Sequence, residues 1–595
     1  MAFSFQDFFR TLTKKRSIKA LGGFDAEIRR LSPSDAAIGI LLVSLMAGSA
    51  FTMVANTSLS TTIEIPAQGG TYTEGIVGAP RFINPVLALS EADRDVTALV
   101  FSGLMKANPD DTLSPDLAAS YTVSDDQLTY TFTLRDDALF HDKTPVTAGD
   151  VAFTVSATQN PAMKSPKRAN WEGVAVTVVD EKTVSFTLRA PYGPFLENLT
   201  LGILPSHLWS DVTSEEFPFS SLNTSPVGSG PYRLETIEQN SSGIPIEYDL
   251  VAFRGGARTP YINRIIFKFY GNTEDLEHAL NTGIVEAANS VNPGNAESKS
   301  QKVKEAVFAR VFGVFFNQNQ NDIFADQGVR KALDTAIDKQ KIVSTVVSGY
   351  GSVIDGPLPP DSTRTVLEDA RAEEARIASA RTLLEKAGWK LGEDGVYAKT
   401  ANKETKRLAF SLITGNAPEL KRTAELVVED WRALGAEVDL KFFDQNDLNN
   451  DILRPRKYEA LLFGLVVGHD LDLFAFWHSS QRNDPGLNIG LYANIAVDKK
   501  LESARAELDP LVRQKDVKEA ARLISEETAA IFLYAPHFVY VMPEYVQGVR
   551  LPAIVNPSDR FAQVDQWHLS TERVWPIFIK NKSDAYQESS IPLNN

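Results

Sequence analysis

The sequence predicts a mixed α/β protein of at least two lobes, preceded by one membrane-length helix near its N-terminus. Three observations predict it. Residues 36–55 (AAIGILLVSLMAGSAFTMVA) run for 20 residues without a charge, which at 1.5 Å per residue spans roughly 30 Å, the thickness of a hydrocarbon core. The stretches LTYTFTLR (128–135) and VAVTVVDEKTVSFTLRA (174–190) alternate with period two, as half-buried strands do. Further on, LAFSLITG (408–415), ELKRTAELVVEDWRALG (419–435) and AEVDLKFF (436–443) read as strand, helix and strand. That order belongs to a mostly parallel sheet covered by helices.

Charge gives the apolar run its orientation. Residues 1–35 hold seven basic side chains (Arg10, Lys14, Lys15, Arg16, Lys19, Arg29, Arg30) and four acidic ones (Asp7, Asp25, Glu27, Asp35). Their net charge is +3, which leaves −19 on the remainder of a chain whose total is −16. A basic flank stays in the cytoplasm, so the large body is expected outside the membrane. A core helix is seldom apolar all round over such a length. A cleavable signal peptide is the other reading, with Gly48, Ala50 or Ala55 as the small residues, although a 35-residue leader is long for one. Both readings export residues 56–595. We divide the ends accordingly: 1–35 is a basic cytoplasmic segment and 36–55 the transmembrane anchor.

No other stretch of the body is long and apolar enough to span a membrane. Residues 174–190 form a hairpin about 180–182. Thr147 caps a helix beginning TAGDVAFTV, with Asp150 three residues on. Residues 327–347 and 373–387 read as amphipathic helices. PVGSGPY (226–232) and GPLPP (356–360) are turns or crossings between parts.

Composition and motifs exclude more chemistry than they supply. An acidic body repels phosphate backbones, which argues against nucleic acid. The chain has no cysteine, which removes disulfides, thiolate metal sites, cysteine nucleophiles and lipid attachment at an N-terminal cysteine. It lacks G-x-S-x-G and G-x-x-x-x-G-K-[ST], hence the serine-hydrolase elbow and the P-loop. None of the seven histidines forms H-E-x-x-H. His469 with Asp470, Asp472 and His478 is the one cluster to weigh for a metal, and neighbours on an extended strand point to opposite faces. No catalytic residue, metal site or cofactor is assigned, and the residues favour a binding protein over an enzyme.

Read together, the ordered segments resemble the extracellular solute-binding proteins of family 5, which serve dipeptide, oligopeptide, nickel and related ABC importers. GGTYTEGIVGAPRFINPVLA (69–88) is similar to their first strand and its Asn-Pro turn, here Ile83-Asn84-Pro85. Residues 100–154 resemble the family signature almost throughout, with P-x-L-A at 115–118, LR-D at 134–136 and F-H-D-x-T-P-V-T-A-x-D-V at 140–151. GSGPYRL (228–234), VRKALDTAIDKQKIVSTVVSGYG (329–351), ASARTLLEKAGW and DLDLFAFWHSSQ (470–481) extend the likeness to roughly residues 66–575. There are departures. Lys143 stands where the family usually has glycine, Leu471 where it has the proline of D-P-D, and Gly464 where it often has tryptophan. Peptide-binding members place a carboxylate three residues before that motif to hold the peptide's amine; here the position is Val467. Either another acid such as Asp470 substitutes, or the ligand is not a free-amine peptide.

The resemblance implies a three-lobed periplasmic-binding-protein-like fold, type II, of the peptide-binding subclass. Lobe I is then 56–105, 226–315 and 543–595, lobe II 106–225, and lobe III 316–542, with crossings near 312–317 and 540–546. It implies a solute, a peptide in the first instance, enclosed between lobes I and III and handed to ABC permease subunits with their ATPases by a monomer. The cleft residues expected are Leu89, Ser90 and Glu91 from lobe I, and Gly464, Leu465, Val466, Val467, His469 and Asp470 from lobe III. Trp477 and His478 are expected in the core, and Asp470 and Asp472 at the cap of the following helix. A nickel chelate, an oligosaccharide, a tethered peptide receptor and an exported hydrolase are the alternative readings.

Overall fold

The computed structural model describes residues 32–256, 258–292, 301–363, 373–401 and 404–576; the basic segment before residue 32 lies outside them. The chain divides into two units, Met1–Pro66 with Thr571–Asn595, and Ala67–Ser570.

The first unit contains the helix Pro33–Thr61. The Ser32 hydroxyl accepts the Asp35 N–H at 3.2 Å and donates to the Asp35 carboxylate at 2.7 Å, which satisfies part of the first turn. Over Pro33–Met53 the mean hydropathy is 2.0, and Ile40, Leu41, Met46 and Phe51 are all exposed. A helix apolar on every side, with nothing covering it, suits lipid by length and composition. The strand Ile63–Pro66 follows and pairs antiparallel with Thr571–Val574.

In the second unit a 12-stranded sheet is the frame. Its order runs Glu437–Phe443, Ala409–Gly415, Ala460–Val466, Arg310–Phe316, Ala530–Pro543, Ala287–Asn289, Thr71–Val77, Arg264–Tyr270, Pro245–Ala252 and Tyr232–Gln239. Gln301–Val307 and Gly351–Val353 also pair with Ala530–Pro543. The expected strand–helix–strand unit is present: Ala409–Gly415 lies parallel to Glu437–Phe443, joined by the helix Pro418–Leu434. Pro418 opens that helix without needing a donor, and Gly435, at φ +112°, ends it in the left-handed conformation.

Three lobes follow from how the buried side chains cluster. One core holds Tyr72, Val96, Tyr248, Phe267, Tyr540 and Trp567. A second holds Leu104, Phe132, Phe186, Phe195 and Ile203 around the four-stranded sheet built on Thr129–Leu134. The third lobe has a core on each face of its sheet, Leu333, Trp431 and Leu462 on one side and Phe315, Leu465 and Trp477 on the other. These cores turn over at other points than the sequence suggested. Leu204, Trp209 and Phe217 pack with lobe I instead of lobe II. Val311 to Phe316 belong to lobe III, and Phe538 to Met542 to lobe I. Residues 56–66 and 571–595 fall outside the second unit altogether.

The crossings move with them. Arg310–Phe316 is paired along its whole length with Ala460–Val466, so it lies inside the lobe III sheet. The long strand Ala530–Pro543 pairs with lobe III as far as Pro536 and with Gln301–Val307 from His537 onward. The chain therefore passes between lobes at 308–310 and 535–537. His537 sits at the second passage, bonded to Glu305 of lobe I at 2.9 Å and to Ser352 of lobe III at 2.9 Å.

Local expectations fare unevenly. The capping box at Thr147 and Asp150 is formed, as is the hairpin of Ala175–Val178 with Thr183–Thr187. The helix expected over 327–347 is broken in two, Gln327–Ala336 and Lys339–Val346. Its periodicity continues, but Ile337 is extended and Asp338 caps the second piece through the Lys341 N–H. Two of the departures from the family pattern have a backbone cost: Lys143 has φ +71° and Leu471 φ +57°. Proline is locked near −65°, so the turn at Leu471 is one that the family's proline cannot make.

Candidate ligand-binding site

The lobe I wall begins with a hydrogen-bonded loop. Asp93 accepts the backbone N–H groups of Arg81 (2.6 Å), Phe82 (2.8 Å) and Ser90 (3.0 Å), while the Ser90 hydroxyl accepts the Asp93 N–H. This capping box starts the helix Glu91–Val100 and fixes its direction. Leu89, 56% exposed, and Ser90 face solvent, and the Ser90 hydroxyl is spent on the cap. Glu91 is half-buried and accepts from the Asn289 amide at 2.5 Å. One turn further, Arg94 donates to Asn556 at 3.0 Å and to the Leu89 carbonyl at 2.6 Å.

This wall rests on a buried charge network. Arg560, fully buried, donates twice to Glu74 (3.0 and 2.6 Å), twice to Asp95 (2.9 and 2.6 Å) and once to the Pro557 carbonyl (2.7 Å). All five guanidinium N–H groups are thereby satisfied. Tyr540 donates to Glu74 at 2.6 Å and lies 2.6 Å from the Tyr72 hydroxyl. Burial works against the charge on Arg560, and Asp95 and Glu74 outweigh it, holding its pKa well above the usual range.

On the lobe III wall the expected residues separate by the pleat. Leu465 and Val467 are buried in the core, at 4% and 0% exposure. They therefore cannot line a cleft as the sequence suggested. Period-two alternation carries their side chains to the far face, and the Val467 N–H is taken by the Ala309 carbonyl at 2.8 Å. Val466 is 46% exposed. Gly464 sits opposite Phe312, where an added Cβ would lie 2.7 Å from the ring. Phe312 stacks on Tyr534 with centroids 5.0 Å apart, so the Phe312 ring covers the space that a side chain at 464 would fill. Trp477 and His478 are buried, as expected.

His469 and Asp470, just beyond the strand, take different nearest partners. The His469 ring reaches Asp559 of lobe I at 3.4 Å. Burial disfavours its charge, but Asp559, helped by Glu197 and Asp111, raises its pKa to about 9. Asp470 instead converges on lobe II: its carboxylate and that of Glu197 both lie within 4.0 Å of one point above Gly468. Burial, and then each other's or Asp472's charge, raises them to about 6 for Asp470 and about 8 for Glu197. Asp470 also accepts the Asp472 N–H at 3.2 Å, which only braces the turn, and Asp472 takes the first N–H of the short helix Phe474–Trp477, that of Phe474, at 2.9 Å; Asp470 therefore does not cap that helix, whose N-cap is Leu473. Among the described residues no group of three acids or histidines is placed to hold a metal ion.

Sequence reasoning missed Arg310, Arg94, Lys167, Asn556, Asp559 and Glu197, which come from all three lobes. Arg310 lies beside Val466 in the strand register, with its guanidinium 4.0 Å over the Phe308 ring. Lys167 is exposed, on a loop pinned to lobe I by the Ser165 hydroxyl donating to the Val86 carbonyl at 2.7 Å. Only Arg310 carried a usable signal, a lone cation at the head of the apolar run VFGVFF; the others are scattered along the chain.

The comparisons with known proteins agree with this architecture. The oligopeptide-binding protein AppA of Bacillus subtilis is 26% identical over 525 residues, covering 87% of this chain and 94% of that protein. The probable D,D-dipeptide-binding periplasmic protein DdpA of Escherichia coli is 26% identical over 497 residues, 80% of this chain and 90% of its own. Among solved structures, AppA from B. subtilis in complex with a nonapeptide superposes with a TM-score of 0.63 at 25% identity, covering 85% of this chain and all of that one. NikZ from Campylobacter jejuni in complex with Ni(L-His) gives 0.64 at 26% identity, covering 84% and 99%. The family model for the bacterial extracellular solute-binding proteins, family 5, matches residues 112–485, and the chain belongs to that family.

Proposed function

We propose that the protein captures a peptide between lobes I and III and presents it to the permease subunits of an ABC importer, acting by binding and not by catalysis. We take lobe I as 67–103, 204–309 and 537–570, lobe II as 104–203 and lobe III as 310–536. The observation that carries the reading is an open strand edge. Ala460–Val466 pairs along its full length with Arg310–Phe316, but with Ala409–Gly415 only at Ala460 and Leu461. Beyond Leu461, among the described residues, its other edge has no strand neighbour, the Leu462 carbonyl being met only by the Thr414 hydroxyl, and the His469–Asp559 contact shortly after it joins lobe III to lobe I. An extended peptide can complete such an edge through main-chain hydrogen bonds, which give affinity without reading side chains. The names of AppA and DdpA, as peptide-binding proteins, support the same reading.

Lobes joined by two short crossings at 308–310 and 535–537 are arranged to swing about them. In this proposal the cleft residues are Leu89, Ser90, Glu91, Gly464, Val466 and His469, with Asp470 at the lobe II end. The helix over 36–55 holds the monomeric body beside its transporter, N-terminus inside, an arrangement supported by its even apolarity and basic flank. Thermal shift of the full chain with pools of tri- to nonapeptides tests the peptide assignment. At ligand near 100 Kd the stabilisation is about 2.7 kcal/mol. Stabilisation by nickel–histidine or an oligosaccharide, with none from peptides, overturns it.

A further inference from the structure

The apolar helix Pro33–Thr61 is followed by a two-stranded ribbon. Ile63–Pro66 pairs antiparallel with Thr571–Val574, in a register that sets Val574 opposite Ile63 and Thr571 opposite Pro66. The pairing carries the C-terminal chain back to the helix. Val574 lies opposite a residue two past the helix's end, hence within about 13 Å of that end even at full extension. Side chains pin the return. The Arg573 guanidinium donates to the Thr62 hydroxyl at 3.1 Å and to the Thr62 carbonyl at 3.4 Å, and stands 4.0 Å from Glu64. The Thr571 hydroxyl donates to Glu64 as well.

What the ribbon returns has the composition of a membrane interface. Trp575, the first residue past the strand, is 46% exposed, and Pro576 is exposed too. The sequence runs Trp575-Pro576-Ile577-Phe578-Ile579 and then Lys580-Asn581-Lys582. An indole is amphipathic and gathers at the headgroup level, isoleucine and phenylalanine prefer hydrocarbon, and lysine keeps its ammonium among phosphates. Reach allows the contact. The charge-free run ends at Ala55, and the six residues to Thr61 raise the helix end about 9 Å above it. At the far limit Val574 therefore lies about 22 Å above the hydrocarbon, and five further residues span up to about 17 Å. The remaining 5 Å or so is within the headgroup layer, which is about 5–8 Å deep on each side.

We infer that the segment beginning at Trp575 is a second membrane contact, seated in the headgroup layer beside the emerging helix, with residues 575–579 toward the acyl chains and Lys580 and Lys582 at lipid phosphates. The inference rests on the reading that the helix over 36–55 stays in the membrane. A single helix holds the ribbon at one point and lets it swivel about the helix axis. A second contact, on the opposite strand, removes that freedom.

The test places the full chain, without any permease, in nanodiscs of phosphatidylcholine and phosphatidylglycerol, so that the partner available is lipid. One spin label at a time is attached through Pro576→Cys, through Leu45→Cys in the helix, or through Ile246→Cys on the body, all exposed positions. Each label's collisions with oxygen, which concentrates in lipid, are compared with those with a water-soluble nickel chelate. The 45 label is expected in hydrocarbon, the 246 label in water, and the 576 label within about 5–10 Å of the headgroup boundary. Trp575→Ser with Phe578→Ser moves the 576 label into water and leaves the 45 label where it was. A 576 label as open to the chelate as the 246 label, with the 45 label in hydrocarbon, overturns the second contact and leaves the anchor standing. All three labels in water overturn the anchor reading and the contact with it. A 576 label that keeps its depth in the double serine variant overturns the assignment to these side chains.

Discussion

Two arginines of this molecule are placed alike and partnered oppositely. Arg560 and Arg310 each lay a guanidinium 4.0 Å over a phenylalanine ring, Phe561 and Phe308. Arg560 gives its five N–H groups to Glu74, Asp95 and Pro557 and is closed to solvent. The Nε of Arg310 is equally hidden and has no acceptor. A satisfied buried charge fixes a scaffold, whereas an unsatisfied one at a lobe boundary leaves binding energy for a ligand to recover.

Substitution separates the two most sharply. Arg560→Met leaves Glu74 and Asp95 buried and unpaired, and should cost about 3–5 kcal/mol, read as a large fall in melting temperature. Arg310→Met removes a half-buried cation whose Nε has no acceptor, and should change the melting temperature of the free protein far less. A comparable fall in both variants would erase the distinction. Val467→Asp asks the same of the position that holds an acid in peptide-binding relatives. Here the side chain points into the core, so the acid should destabilise by about 1–3 kcal/mol without improving free-amine peptide binding. A gain in affinity for free over N-acetylated peptides would show instead that the strand can turn that face to the ligand.

A smaller effect separates the two ends of the cleft by pH. The folded pKa of His469, about 9, lies above that of a free imidazole, so its tie to Asp559 is fully present below about pH 6.5 and fades as pH rises through 9. Glu197 and Asp470 are raised to about 8 and about 6. Protons on them ease the meeting of lobes II and III, and that contact also weakens as pH rises. Affinity should fall about fivefold from pH 6 to pH 9, and Glu197→Gln should flatten the lower part of the profile. An affinity that rises with pH, measured by titration across that range, would contradict both assignments. Gly464→Ala probes the lobe III wall itself. Its methyl displaces the Phe312 ring from Tyr534, at about 1–2 kcal/mol of stability.

The fold was largely legible because its signals are local. Period-two runs, a capping box at Thr147 and a strand–helix–strand unit each depend on neighbours in sequence, and a family-like signature over 100–154 supplied the rest. Lobe boundaries were less legible. The strand Ala530–Pro543 looks uniform in sequence, yet serves lobe III at one end and lobe I at the other, and the choice is made by its partners. The site was half legible. Leu89 and Val466 lie exposed, whereas Val467, which the family resemblance implies in the cleft, is buried, and neither its pleat phase nor the turn at Leu471 can be read from the residues alone. Arg94, Lys167 and Asp559 are brought together only by tertiary structure.

The absence of cysteine makes the closure of this cleft directly measurable. Ile246→Cys in lobe I and Leu391→Cys in lobe III, both at exposed positions, place one spin label on each side, and pulsed dipolar spectroscopy reads the distance between them. A bound peptide pool should shorten that distance and narrow its distribution. Saturating peptide that leaves the distance unchanged would contradict capture between lobes I and III.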